Sequence, residues 1–344
     1  MAVKMLVFDY RDTEKSYFQK HIEDINNFDI SFYKESLNSD TVKNLPVEEK
    51  NSTQVISVFI NSVVDKKVIS EFKNLRVIST RSTGVDHIDK KACEQRNIML
   101  VNVENYGSTT VAQYAFGLII AITRNIIPAD LSIRYKKFCD YKFIGRNLGY
   151  LTLGIIGTGT IGANLCNYAS AFGMGILAYD LKPKLELIEK QNIKYVELQE
   201  LLKNSDIISL HLPYTGDNYH LLGAKEFEMM KDGVKIVNTS RGELIDIAAL
   251  YNSLLNGKVK GAALDVLECE DISFKCKELS DNLGEVGITC SQEAEIIQKM
   301  GELPNVIITP HIAYETQDAI DYILKISING IKDALSGSSR YRVV

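Results

Sequence analysis

The chain has no run of clustered lysines and arginines, and its formal net charge is −5. A nucleic-acid backbone needs a basic footprint, so the composition argues against that class of partner. The six cysteines (93, 139, 166, 269, 276 and 290) include no C-x-x-C pair, and neither they nor the five histidines cluster at metal-ligand spacing. That pattern predicts no metal centre and reads the cysteines as reduced thiols of a cytoplasmic protein. Long apolar runs are missing too. The strongest, residues 111–123, contains Gln113 and Tyr114, stops at Arg124 and is too short to span a bilayer. Residues 1–10 read as a first strand (Val3, Met5, Val7), not as a secretory leader. No internal repeat stands out.

What is present is a regular alternation. Strand-like runs at 4–8, 55–60, 76–80, 99–103, 153–157, 175–179, 207–212, 235–238, 261–266 and 306–309 are separated by helix-like segments. Such alternation predicts parallel α/β sheets with both faces covered. Ten strands exceed one comfortable sheet, and 344 residues suffice for two cores. The expected fold is therefore two doubly wound parallel-sheet domains with the active site in the cleft between them. The expected boundaries are residues 1–102 plus 311–344 for a substrate domain and 103–310 for a cofactor domain. Segment 108–127 predicts a long helix apolar around most of its circumference, which burial would explain and which is expected to lie in a homodimer interface.

Residues 151–162, Leu-Thr-Leu-Gly-Ile-Ile-Gly-Thr-Gly-Thr-Ile-Gly, point to the cofactor. An apolar strand runs into Gly157, which permits a tight turn. Gly159 lets the backbone approach a pyrophosphate, and Gly162 lets helix and strand pack closely. The first N–H groups of the following helix, at Thr160 and Ile161, would face the phosphates. A second strand ends at Asp180, placed to accept hydrogen bonds from an adenosine ribose, which favours NAD.

Four further signals follow strand ends, where open α/β sheets place their ligands. Val-Asn-Thr-Ser-Arg-Gly (237–242) leads into Arg241, although an arginine after a strand often serves only as an ion-pair partner. Residues 263–270 take an apolar strand into acids, of which Glu268 and Asp271 read as a solvated loop. Thr-Pro-His-Ile-Ala (309–313) presents His311, and Arg-Ser-Thr-Gly-Val-Asp (81–86) is a small-residue turn whose N–H groups can face an anion.

Taken together, these motifs resemble the D-isomer-specific 2-hydroxyacid dehydrogenases over essentially the whole chain. The resemblance also draws on Asn-Tyr-Gly-Ser (105–108), Ser-Leu-His-Leu-Pro (209–213), Met-Lys-Asp-Gly (230–233) and Leu-Asp-Val-Leu-Glu-Cys-Glu (264–270). The fermentative D-lactate dehydrogenase branch is most similar, because of the long segment 271–305 and the aromatic Tyr314. The resemblance implies that Arg241 binds the substrate carboxylate, His311 is the general acid/base and Glu270 holds its ring. It implies that Asp265 lies close to the nicotinamide, that the Thr83 and Gly84 N–H groups hold the carboxylate, and that Tyr106 and Tyr314 shape the pocket. It also places Leu212, Pro213, Asn218, Thr239 and Ser240 at cofactor contacts, with Pro213 and Asn218 equally readable as turn formers. His87 and His211 are expected to be structural or to wall the cofactor.

Two departures from the family pattern stand out. Gln113 replaces a common glutamate, which bears on a helix or interface contact. The loop Asn61-Ser62-Val63-Val64 lacks the tyrosine of lactate-specific members, which leaves substrate size open. The expected reaction is reduction of pyruvate to D-lactate by NADH. A bulkier 2-oxo acid remains open, as does an NAD-sensing binding protein, since the family includes a transcriptional co-repressor.

Overall fold

The computed structural model describes residues 2–10, 12–21, 28–104, 107–135, 143–191, 193–270, 288–337 and 342–343. The chain divides into two units, residues 1–106 with 315–344, and residues 107–314. Both crossings lie four residues later than the sequence boundaries, so His311 and Tyr314 belong to the larger unit. The backbone there is tied to it, because His311 N–H donates to the Asp265 carbonyl at 2.8 Å.

The smaller unit holds five parallel strands: β1 (Val3–Phe8), β2 (Phe28–Tyr33), β3 (Thr53–Val58), β4 (Val77–Thr80) and β5 (Met99–Val101). Their order is β2-β1-β3-β4-β5. Alternate residues face opposite layers. Leu6, Ile56 and Ile78 pack with Val68, Ile69 and Phe72, while Met5, Val7, Val55 and Val77 pack with Leu324, Ile328 and Ile331 of the Gln317–Leu335 helix. Arg81, at the end of β4, is fully buried. Its guanidinium donates to Ser57 Oγ (2.9 Å) and to the carbonyls of Phe8 (2.7 Å) and Asp9 (2.8 Å), binding three strand ends together.

In the larger unit seven parallel strands form one sheet: β6 (Thr152–Ile156), β7 (Gly175–Tyr179), β8 (Lys194–Tyr195), β9 (Ile207–Leu210), β10 (Val234–Asn238), β11 (Val259–Leu264) and β12 (Val306–Ile308). The order β12-β11-β10-β9-β6-β7-β8 reverses direction between β6 and β9. A doubly wound sheet opens a ligand crevice at such a switch point. Both faces are covered, as the β-branched, near-continuous strands require. Leu153, Ile155, Val237 and Ala263 pack beneath the Ser108–Arg124 and Thr160–Ala171 helices. Ile156, Ile208, Ile236 and Ala262 pack on the other side with Leu201, Phe227, Leu250 and Ile297. Each fully buried Leu, Ile, Val or Phe among these contributes about 1.5–3 kcal/mol relative to exposure.

Among the described residues twelve strands are present where ten were expected; β2 and β8 are the additions. Both are edge strands. β2 interleaves Asp29 and Ser31 among its apolar residues and is only partly buried, and β8 has two residues. The Ser108–Arg124 helix spends its apolar face in the core through Val111, Ala112, Ala115, Phe116, Leu118, Ile119 and Ile122, while Gln113 is exposed. It ends at Asn125 in the left-handed conformation (φ +53°), and the Ile126–Arg134 helix continues after a 65° bend. No single helix among the described residues is long and apolar enough to cross a membrane.

Candidate active site

Six residues lie side by side across the larger sheet at its carboxyl edge: Tyr179, Ile156, Leu210, Asn238, Leu264 and Ile308 are successive register partners. The ladder continues one step beyond them. Gly157 N–H donates to Tyr179, His211 to Ile156, Asp265 to Asn238 and Thr309 to Leu264, all at 2.8–2.9 Å. The residues that follow these strands (Asp180, Gly157, His211, Thr239, Asp265 and Thr309) therefore form one row, with neighbouring strands about 4.8 Å apart.

Gly157 sits at φ +94°, and a Cβ there would lie 2.7 Å from the His211 carbonyl oxygen. Gly162 has its own constraint, since a Cβ would come within 2.0 Å of the Gly157 carbonyl oxygen. At Gly159 nothing lies within 4 Å of where a Cβ would be, so the turn is open on that side. The helix Thr160–Ala171 starts there without a side-chain cap, leaving its first N–H groups, including those of Thr160 and Ile161, directed outward.

Asp180 is held rigidly. One carboxylate oxygen accepts from Thr158 N–H (2.6 Å) and Thr158 Oγ1 (2.9 Å), and the other from Lys182 N–H (2.8 Å). Tyr195 Oη in turn donates to Thr158 Oγ1 at 2.9 Å. Burial works to raise the Asp180 pKa, but the Lys182 and Thr158 donors and the Lys184 charge outweigh it and hold the carboxyl below its ordinary range. Thr158 and Tyr195 escaped the sequence reading because their role depends on this contact between separate turns.

These features suit a dinucleotide, and two further atoms agree with that fit. Thr239 Oγ1 and His211 Nδ1 are buried side-chain atoms without a hydrogen-bond partner. His211 as a whole is only partly buried, yet desolvation of its ring lowers its pKa to about 4 and keeps it neutral. Its Nε2 pairs with Ser209 Oγ at 2.8 Å. Ser240 is turned back onto Asn238, whose Oδ1 accepts from Ser240 N–H (3.0 Å) and Oγ (2.8 Å). Asn218 donates to the Pro213 carbonyl at 2.9 Å and accepts from Thr215 N–H at 2.8 Å, so its amide closes the turn that follows Leu212.

The turns after two neighbouring strands bring His311 and Glu270 together. His311 Nδ1 lies 2.8 Å from Glu270 Oε2, and Glu270 Oε1 accepts from Leu267 N–H at 3.1 Å. His311 itself occupies the left-handed region (φ +53°), a conformation that needs support. Asp265 provides it. Fully buried, Asp265 accepts from Thr309 Oγ1 (2.5 Å), Ile312 N–H (3.0 Å) and Ala313 N–H (2.8 Å). Burial pushes its carboxyl up, against the pull of these donors and of His311. The sequence reading assigned Asp265 to the nicotinamide and missed this work as the clasp of the His311 turn. Arg241 follows β10 in extended backbone (φ −146°), with Nη1 donating to the Ser240 carbonyl at 2.7 Å. Gly242 lets this turn meet the acidic one, since a Cβ there would lie 2.0 Å from the Leu267 carbonyl carbon.

Two expectations about this region are corrected. Cys269 and Cys290 form a disulfide, with Cα atoms 5.8 Å apart and a sequence separation of 21, so these two are not reduced thiols. No spacing rule marks such a long-range pair. Glu268 is not a solvated acid: its oxygens meet Tyr219 Oη at 3.1 Å and His220 Nε2 at 3.2 Å. Among the described residues no group of three or more potential metal ligands is found.

In the smaller unit, Thr83 and Gly84 follow Arg81 in a turn fixed by Thr83 Oγ1 on the Val103 carbonyl (2.9 Å) and Ser82 Oγ on the Gly84 carbonyl (2.6 Å). His87 is structural there, with Nε2 3.1 Å from Thr80 Oγ1. Tyr314 is buried in the larger unit, whereas Tyr106 lies outside the described residues.

Residues 116–313 match the family model described as the D-isomer-specific 2-hydroxyacid dehydrogenase NAD-binding domain. A 2-hydroxyacid dehydrogenase homolog of Haemophilus influenzae is 36% identical over 94% of this chain and 95% of its own. An aromatic 2-oxoacid reductase of Clostridium sporogenes is 34% identical over 81% of this chain and 82% of its own. Among solved structures, D-lactate dehydrogenase from Aquifex aeolicus complexed with NAD and lactic acid superposes with a TM-score of 0.87, at 32% identity and 99% coverage of both chains.

Proposed function

This chain belongs to the D-isomer-specific 2-hydroxyacid dehydrogenase family of NAD-binding oxidoreductases, and from that premise we propose that it reduces pyruvate to D-lactate. The observation that carries the reading is the 2.8 Å pairing of His311 Nδ1 with Glu270 Oε2, on the same sheet edge as the glycine turn. NAD, when bound, supplies or accepts the hydride at C2 of the acid. In this reading Gly157, Gly159, Thr160, Ile161, Gly162, Asp180, Thr239 and Ser240 hold it, with Leu212, Pro213 and Asn218 forming the loop beside it. Arg241 binds the substrate carboxylate through its planar, permanently charged fork and polarises the keto oxygen. His311, with Nδ1 engaged by Glu270, presents Nε2 to that oxygen and delivers the proton in reduction. Thr83 and Gly84 N–H groups, neither of which has a partner among the described residues, are assigned to the substrate carboxylate. Tyr314 and Tyr106 are assigned to the pocket wall.

A steady-state panel of 2-oxo acids with NADH and NADPH, with the chirality of the product determined, tests this reading. NADH-dependent formation of D-lactate at the highest kcat/KM in the panel is expected. A clear preference for branched or aromatic 2-oxo acids would replace pyruvate by a bulkier substrate. That second reading has an observation behind it. Asn61 and Ser62 occupy the loop where a tyrosine would limit size, and their side chains are turned to the Asp9 carboxylate at 3.3 and 3.2 Å.

Two expected results follow from the same reading. Glu270→Gln removes the negative charge facing the imidazole, so the protonated ring is favoured less and the alkaline limit of oxo-acid reduction moves to lower pH. An unchanged pH–rate profile would remove Glu270 from the pair. For the assembly, a homodimer is proposed. The Ile126–Arg134 helix, which leaves Ile126, Leu131 and Ile133 between 42% and 61% exposed, is assigned to its interface. Light scattering at micromolar concentration should give twice the 38.5 kDa chain mass, and Ile133→Asp should lower it. A monomer in the parent protein would overturn the assignment.

A further inference from the structure

Three consecutive residues anchor the turn after β11 to three different elements. Glu268 meets Tyr219 and His220, Glu270 meets His311, and between them Cys269 is bonded to Cys290 on the Ile288–Gly301 helix. Cys269 is itself in the left-handed region (φ +55°), a conformation that an L residue adopts only when its surroundings hold it there. No other covalent link among the described residues holds this turn. The same helix carries Glu293, only 8% exposed, whose Oε2 has no hydrogen-bond partner. Burial and then the Glu268 charge push the Glu293 carboxyl up, so the turn and the helix face each other with two acids. His220, paired with Glu268, works the other way on Glu293, and the disulfide is what ties turn to helix covalently.

We propose that the Cys269–Cys290 disulfide is a positioning pair for the Glu270–His311 couple, so that its opening by a dithiol slows proton transfer in oxo-acid reduction. In that step the S–S bond breaks, each cysteine sulfur gains one electron and one proton, and the dithiol is oxidised to its own disulfide. No direct contact of either sulfur with the substrate is part of this proposal. The effect runs through Glu270, one residue from Cys269, whose carboxylate must stay within hydrogen-bond reach of Nδ1 to fix the ring and its tautomer. Both cysteines are partly exposed and so within reach of a small thiol. By contrast, the free thiols Cys93 and Cys166 are buried, and desolvation pushes them up to about 11 and about 12, which leaves them inert to exchange. The proposal rests on the roles given above to Glu270 and His311.

The test measures kcat, KM for NADH and the pH–rate profile of oxo-acid reduction in the full-length protein, before and after dithiothreitol. Peptide mass mapping follows the 269–290 link. Reduction is expected to lower kcat roughly tenfold, less than the loss of the acid itself, and to move the alkaline limit down with KM for NADH unchanged. Cys290→Ser should start at the reduced values and ignore dithiothreitol. Glu270→Gln should already show the lowered pH limit and gain no further shift on reduction. If Glu270→Gln moves the profile while complete reduction of the 269–290 link does not, the positioning role is wrong and the Glu270 assignment stands. If Glu270→Gln leaves the profile unmoved, the pair itself is wrong and this proposal falls with it. Absence of the 269–290 link from the oxidised protein, or a Cys290→Ser enzyme matching the oxidised parent, overturns the proposal directly.

Discussion

His311→Gln is expected to lower kcat by about 10²–10⁴-fold while leaving NADH binding close to that of the parent enzyme. Glutamine fills similar space and still donates a hydrogen bond, but it carries no proton that it can release at neutral pH. The loss therefore falls on the chemical step, at about 1.4 kcal/mol for each factor of ten. The fold should survive the exchange. The turn is held by Asp265 through Thr309 Oγ1 and the N–H groups of Ile312 and Ala313, none of which involves the imidazole. The left-handed backbone at 311 is a modest liability for any replacement, so thermal melting with and without NADH should accompany the kinetics. Near-normal turnover by a folded variant would remove His311 from the reaction.

The second large effect concerns the choice between NADH and NADPH. Asp180 presents a fixed carboxylate, held by three donors and kept below the ordinary carboxylate range, so it stays charged through any practical assay pH. Ribose hydroxyls can donate to it. A 2′-phosphate in the same place meets a like charge, which typically costs several kcal/mol. The Lys184 charge, which acts on Asp180, screens part of that repulsion. A preference for NADH of roughly 10- to 1,000-fold in kcat/KM is therefore expected, at about 1.4 kcal/mol per decade. Asp180 stays ionised between about pH 5 and 8, so any change of the ratio there should follow the 2′-phosphate, whose second ionisation at pH ~6 strengthens the repulsion as pH rises. Asp180→Ala should narrow the gap chiefly by weakening NADH. Equal kcat/KM for the two cofactors in the parent enzyme would show that Asp180 does not face the ribose.

The residues at the sheet edge were legible because each follows an apolar strand, and strand ends in parallel sheets share one edge. Local pattern marks the places of Gly157, Asp180, Arg241 and His311 after strands, but the roles expected of Arg241 and His311 come from the family resemblance and not from pattern alone. What the pattern could not show is how these turns support one another. Asp265 reads as an acid after a strand, and only the approach of 309–313 makes it the clasp of His311. Thr158 looks like a residue between two glycines until Asp180 and Tyr195 close on it. The Cys269–Cys290 link joins residues on a turn and a helix with no repeat or spacing between them. The edge strands failed for a different reason. A strand with one neighbour need not be apolar throughout, so Phe28–Tyr33 and Lys194–Tyr195 carry too weak a signal.

The discontinuity of the smaller unit bears on how the protein is made. Its five strands are synthesised early, yet one face of that sheet is covered by the Gln317–Leu335 helix, which is made more than 200 residues later. At about 5–20 residues per second, the intervening stretch of more than 200 residues takes on the order of ten to fifty seconds to emerge. During that interval Met5, Val7, Val55 and Val77 have no partner from the C-terminal helix, while the larger unit can already complete its own core. The nascent chain thus exposes an apolar sheet face after the larger unit can have folded, and its yield depends on what shields that face until residue 335 arrives.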